Sequence, residues 1–247
     1  MDALAITLTV FAFLTSALSG IAGLGGGTIL IGVFFALGLT PVEAVPLFAA
    51  VQFVSNGSRT IAYIRHVEWH AAGWFTLTLV PATFLLAPFA ASVDENLVRL
   101  ILAGLILASL VPTGRGEEAP LRPRPSFLLA GALNGSLGMF VGATGLFVGR
   151  LFFRPEWRKE TTVATLAFTQ VLGHGLRVIA YGFVGFSSFT QPALLVPLCL
   201  AVIAGTWTGK QLHVRMSDAH FDGLFKAILV ILSLKLVWDS LQGYGWI

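Results

Sequence analysis

Charge is scarce in this chain. Of its 247 residues, 11% are Asp, Glu, Lys or Arg, under half of the roughly 25% usual for soluble domains. Hydrophobic residues make up 56% and the mean hydropathy is +0.85. A soluble fold of this length cannot hide so much apolar surface, so an all-α integral membrane protein is expected. Cysteine is nearly absent. Cys199 stands alone in an apolar run, which excludes an internal disulfide and a thiolate metal centre, and it reads as a small buried hydrophobe. The net charge is only +3, with no Lys/Arg cluster interleaved with aromatics, so no nucleic-acid partner is expected. Also missing are Gly-x-Ser-x-Gly, His-Glu-x-x-His and any carboxylate dyad within an apolar segment, which argues against an intramembrane enzyme. The one glycine-rich run does not match the dinucleotide fingerprint and follows an apolar helix instead of a strand, so no cofactor and no metal are expected.

What is present is a series of apolar segments: 3–38, 43–64, 71–91 and 97–112, then 127–152, 161–183, 193–213 and 223–242. The first begins right after Asp2 with no positive leader, so it reads as a mature span and not as a signal peptide. The stretch "PTGRGEEAPLRPRPS" divides the two sets, which gives a first repeat over 1–112, a linker over 113–126 and a second repeat over 127–247. An offset of 118 residues carries Gln52 onto Gln170, Gly57 onto Gly175, Arg59 onto Arg177 and Tyr63 onto Tyr181. The chain has only three tyrosines, so two of them in register point to duplication. Four crossings per repeat would make the halves parallel and an odd number would invert them, which the sequence leaves open. If all eight segments cross, Arg65, Arg115, Arg122 and Arg124 lie on one side. Arg99, Arg150, Arg154, Arg158, Lys159, Lys210 and Arg215 then lie on the other, and the positive-inside rule leans to the second set as cytoplasmic.

Both repeats carry a polar stripe. Gln52, Asn56, Arg59 and Tyr63 are spaced i, i+4, i+7, i+11, as are Gln170, His174, Arg177 and Tyr181. At 100° per residue each set falls within about 60° of one helix face. A charge at membrane depth costs about 2.5–3.5 kcal/mol on insertion scales and persists where it faces protein, water or ligand. The acidic residues stand at span ends or in loops (Glu43, Glu68, Asp94, Glu156, Asp218, Asp239), none at the depth of either arginine. A mobile small anion is the expected counter-charge, since guanidinium offers a planar fork to carboxylate, phosphate or sulfonate. Arg59 and Arg177 are expected to hold it, with Gln52, Gln170, Asn56 and His174 as donors and Tyr63 and Tyr181 as walls. The structural alternative is that Arg59 snorkels to the interface, or that the arginines bond carbonyls freed by a broken helix.

The glycines supply that break. Residues 3–38 as one straight helix would run about 54 Å against a bilayer core of about 30 Å. The run "SGIAGLGGGTILIG" either packs small residues against a neighbour or breaks the helix, leaving backbone N–H groups free to meet an anion. The break is favoured, with Gly23, Gly25, Gly26 and Gly27 at it and Thr28 capping the next half-helix. In the second half Gly142, Thr144 and Gly145 take that part in "VGATG", without the triple glycine. Trp69, Trp74, Trp157 and Trp246 near span ends fit an aromatic belt in the lipid bilayer.

The combination "LSGIAGLGGGTILI", "GLTPVEAV" and "YIRHVEWHAAGW", answered by a divergent second half, resembles the TauE/SafE family of membrane permeases over nearly the whole chain. The chain departs from the family pattern at Gly32, where a proline is usual, and in the reduced second glycine run. The resemblance implies a secondary transporter, an exporter, of small sulfur-containing anions such as sulfite or sulfonates, in a bacterial cytoplasmic (inner) membrane. Alternating access between the two repeats is the implied mechanism. The residues alone reach an anion-handling membrane protein of two repeats. They leave open an anion channel, a carrier of another carboxylate or oxyanion, and a homo-oligomer.

Overall fold

The computed structural model describes residues 3–22, 25–111, 121–212 and 218–246. Among these, the regular structure is entirely helical. The helices are α1 (Ala3–Ala22), α2 (Gly26–Ala36), α3 (Pro41–Tyr63), α4 (Trp69–Leu86), α5 (Glu95–Leu110), α6 (Pro123–Val141), α7 (Gly145–Gly149), α8 (Lys159–Phe183), α9 (Pro192–Leu212) and α10 (Asp218–Gly243), with short 3-10 turns between some of them. By length and composition, Trp69–Phe89, Lys159–Phe183 and Pro192–Gly209 suffice to cross a membrane, and Ala3–Leu18 and Gly26–Ala36 are shorter apolar helices.

Local chemistry sets the helix starts. At α3, Pro41 follows Thr40, and the Glu43 carboxylate accepts from the Thr40 N–H at 3.0 Å and its hydroxyl at 2.8 Å. At α5, Asp94 accepts from the Leu97 N–H at 2.9 Å. The first long apolar segment does break. α1 ends at Ala22, and α2 starts after Gly25, whose φ of 97° is a left-handed value that suits glycine alone. The second break is alike. α6 stops at Gly142 with φ 76°, and the short α7 begins at Gly145. The expected span over 127–152 is therefore two pieces.

The principal pairings are α1 with α9, α4 with α6, α3 with α8 and α5 with α10. Glycines permit two of them. A Cβ at Gly205 or Gly209 of α9 would strike the carbonyl oxygens of Phe13 or Ala17 on α1. A Cβ at Gly131 or Gly135 of α6 would strike those of Phe75 or Leu79 on α4. Bare backbone meets bare backbone in both, the small-residue contact that lets membrane helices approach closely.

Contacts at the two ends of the bundle fix the direction of each helix. A cavity of about 490 Å³ at the first end touches Leu4 and Leu8 of α1, Leu37–Leu39 beyond α2, the start of α3, and Gly185–Gln191 between α8 and α9. So α1 starts, and α2 finishes, at the same end. The Tyr244 hydroxyl donates to Asp94 at 2.6 Å, tying the end of α10 to the start of α5. At the second end, a cavity of about 250 Å³ is shared by Glu68 and His70 at the start of α4, Pro123 and Arg124 at the start of α6, and Arg154–Trp157 beyond α7. There α6 starts and the segment after α7 finishes. Arg150 donates to the carbonyls of Ala108, Ser109 and Val111 at the end of α5. The α1–α2 and α6–α7 pairs are thus hairpins that enter from opposite ends and turn back inside. The loop assignment that holds only if all eight segments cross therefore does not apply. Arg65, Arg122 and Arg124 lie at the same end as Arg150, Arg154, Arg158 and Lys159, because a hairpin that returns changes the side of every later loop.

Candidate functional site

The tips of the two hairpins meet beside the crossing of α3 and α8. Gly25 faces Leu146, and Gly142 lies beside Ile31 and Phe48. They enclose a cavity of about 50 Å³, lined by Gly25, Gly27, Thr28, Phe48, Gln52, Ser55, Asn56, Arg59, Ala143, Gly145, Gln170 and His174. The space is small, with room for a few water molecules, and it is partly open.

Five of the eight side chains expected on the polar stripes come together here: Gln52, Asn56, Arg59, Gln170 and His174. The stripe period explains it, since residues four and seven apart share one helix face and α3 packs on α8. The Asn56 side-chain amide donates to the Gln52 carbonyl oxygen at 3.0 Å and to Gln52 Oε1 at 3.3 Å. With its oxygen engaged, Gln52 presents its Nε2 to the first break. A Cβ on Gly27 would lie 2.7 Å from that nitrogen, so only glycine leaves room for the amide there. Gln170 is buried, and its Nε2 has no hydrogen-bond partner among the described residues. Arg59 is half-buried. The helical ladder of α2 starts with Thr28 N–H to Gly25 O at 3.0 Å, so the amides of Gly26 and Gly27 precede the first helical bond. Thr28 lies in the first turn of α2 and not at its cap, which is Gly25.

The two arginines are not equivalent. Arg177 is 1% exposed and does not line the cavity. Its Nη1 donates to Gly142 O at 2.7 Å and meets His174 Nδ1 at 3.0 Å. Its Nη2 donates to Asn134 O at 3.1 Å and Asn134 Oδ1 at 2.6 Å. Among the described residues its Nε has no partner. The Tyr181 hydroxyl donates to Met139 O at 2.6 Å. Arg177 and Tyr181 therefore satisfy the carbonyls of Gly142 and Met139 where α6 ends, and Gly138 makes room for the guanidinium. Asn134 adds a bond from its Nδ2 to the Thr144 hydroxyl at 3.1 Å. Tyr63 stands half-buried at the end of α3, away from the cavity, and Gly26, Gly142 and Thr144 are not among its lining residues. Gly23 lies outside the described residues.

Sequence reasoning missed Phe48, Ser55 and Ala143. Phe48 is four residues before Gln52 on the same face, and its ring meets that of His174 edge-on at 5.4 Å. The stripe period extended one step would have found it. Phe48 also follows Pro46 and Leu47, which line the large cavity at the first end, so consecutive residues of α3 line the two spaces. Among the described residues no group of three or more His, Cys, Asp or Glu gathers as a metal site.

No curated protein and no solved structure matches the chain. The family model described as "Sulfite exporter TauE/SafE" matches residues 8–236, spanning both hairpins and both polar stripes. With that match over nearly its whole length, the chain belongs to the TauE/SafE sulfite exporter family, whose members are membrane transporters and not enzymes.

Proposed function

We propose that the chain is a secondary transporter, an exporter, of small sulfur-containing anions such as sulfite or sulfonates, with the anion held in the cavity between the two hairpin tips. The observation that carries this reading is the donor-rich lining of that cavity. Gln52, Arg59, Gly27 at the start of α2 and Gln170, whose Nε2 has no partner among the described residues, all line it. Such a set suits an oxyanion, which offers acceptors only. The hydroxyls of Thr28 and Ser55 and the amide of Asn56 complete it. Arg177 and Tyr181 hold the second tip in place beside it, in keeping with their bonds to the end of α6.

Alternating access follows from two inverted repeats, α1–α5 and α6–α10. Exchanging α1 with α6, α3 with α8, α4 with α9 and α5 with α10 turns the α1–α9 pairing into α6–α4. It leaves α3–α8 and α5–α10 as they are, which supports the reading. The opposite entry of the two hairpins fits an odd number of crossings in each half. Arg65, Arg122, Arg124, Arg150, Arg154, Arg158 and Lys159 gather at the second end, against Arg99 and Lys235 towards the first. By the positive-inside rule the second end is cytoplasmic, and the 490 Å³ vestibule opens outward.

The test is sulfite flux from proteoliposomes loaded with the anion. A carrier gives saturable efflux that Arg59→Gln abolishes. Efflux that rises linearly with concentration, or that the variant leaves intact, overturns the proposal.

A further inference from the structure

We infer that Arg177 is a positioning residue that locks His174 in the tautomer with its proton on Nε2, making the ring an uncharged hydrogen-bond donor at the cavity and not a proton carrier. The inference rests on the proposed anion cavity for its purpose, but its geometry stands apart from it.

Arg177 Nη1 lies 3.0 Å from His174 Nδ1. Guanidinium has five N–H donors and no acceptor. A short contact with it therefore requires Nδ1 to accept, and an accepting ring nitrogen carries no proton. A neutral imidazole then has its hydrogen on Nε2. Protonating the ring would set an N–H against an N–H and two cations against each other.

Arg177 is not free to turn away. Its Nη1 also donates to Gly142 O at 2.7 Å, and its Nη2 is held by both oxygens of Asn134. His174 itself is 3% exposed, with Phe48 edge-on at 5.4 Å. The titratable or charged groups around it are few. On its own helix are Arg177 and, one turn on, Tyr181, whose hydroxyl is bound to Met139 O. From α3 comes Arg59. The described residues of the two breaks at the cavity (Gly25, Gly27, Thr28, Ala143, Gly145) contribute no titratable side chain. Among the described residues the charged groups there are cations with no acid, so none of them favours imidazolium.

The lock gives the second stripe the same chemistry as the first. Asn56, the counterpart of His174, bonds the Gln52 oxygen and so turns the Gln52 Nε2 outward as a donor. Arg177 does this for His174 by occupying its acceptor. The cavity then prefers a fully deprotonated oxyanion to its protonated form, whose added O–H would find few acceptors.

The test is nitrogen NMR on protein labelled with ¹⁵N-histidine, with His66, His70, His213 and His220 replaced by Gln so that His174 alone is observed. The expected spectrum has Nδ1 at a non-protonated shift and Nε2 at a protonated one, unchanged between about pH 5 and 8. A proton on Nδ1, or a ring that titrates across that range, overturns the inference with no anion present. The second arm measures sulfite binding by His174→Gln and His174→Leu. Gln retains a donor near the Nε2 position and keeps affinity, and Leu weakens it about tenfold or more. Equal affinity in the Leu variant overturns the donor role. Failure of the native protein to bind any anion, with the tautomer as expected, refutes the proposed function and leaves the lock standing.

Discussion

Gly138→Ala is the sharpest structural prediction. Position 138 lies in α6 one turn before the second break, where alanine is normally the better helix former by about 1 kcal/mol. Here a Cβ would meet the Arg177 guanidinium, 2.7 Å from Cζ and 2.9 Å from Nε. The guanidinium cannot yield without leaving Gly142 O and Asn134, since those bonds hold it at 2.6–3.1 Å. Hydrogen bonds to charged groups each net about 1.5–3 kcal/mol. Losing two costs about 3–6 kcal/mol, and after the helix-propensity gain the variant is expected to be destabilised by roughly 2–5 kcal/mol. Gly73→Ala and Gly104→Ala serve as controls. Both are helical, with nothing within 4 Å of the added Cβ, and are expected to be neutral or stabilised by up to about 1 kcal/mol. Denaturation in matched detergent compares the three. If Gly138→Ala is as stable as the controls, Arg177 does not clamp the second break and the account of that half fails.

Gly209→Ala drives a methyl into the Ala17 carbonyl and should separate α1 from α9, costing about 1–3 kcal/mol by overpacking in the same denaturation assay. With Cys199 replaced by Ala, a cysteine at Thr190 is expected to react with a membrane-impermeant thiol reagent added outside intact cells, and one at Glu156 only after lysis. The reverse labelling refutes the orientation. The Tyr244 hydroxyl and the Leu97 N–H hold the Asp94 carboxyl below its usual range. A depressed carboxyl contributes stability above its unfolded pKa and loses it as pH falls through the folded value. Acid should therefore loosen the α5–α10 end, and Tyr244→Phe should lose part of that acid sensitivity in a pH series of melting curves.

Much of this arrangement was legible in the chain. The length of the first apolar segment against its glycines located the break, and the spacing of Gln52, Asn56 and Arg59 placed them on one face. Of the α8 residues that the 118-residue offset pairs with them, Gln170 and His174 line the same cavity and Arg177 does not. Two things were not legible. Hydropathy does not separate a segment that crosses from one that turns back, so eight crossings would set Arg65, Arg122 and Arg124 opposite Arg150, Arg154 and Arg158, with which they share one end. Backbone carbonyls also leave no mark in a side-chain pattern. Arg177 has the same place in its stripe as Arg59, and only the end of α6 shows that its guanidinium is occupied by Gly142 and Asn134. Thr28 was misplaced for a related reason. Gly25 can adopt the left-handed turn that starts α2, so the helix begins three residues earlier than a hydroxyl cap would set it.

The central claim is that the cavity between the hairpin tips is an anion site. Its most direct test is thermal stabilisation of the purified protein by sulfite, a sulfonate, sulfate, thiosulfate and acetate, in the native chain and in Arg59→Gln and Gln170→Leu. A ligand at 100 times its dissociation constant stabilises by about 2.7 kcal/mol. The account predicts a shift with sulfite or the sulfonate that both variants lose. Absence of a shift with every anion, or one that persists in both variants, contradicts it.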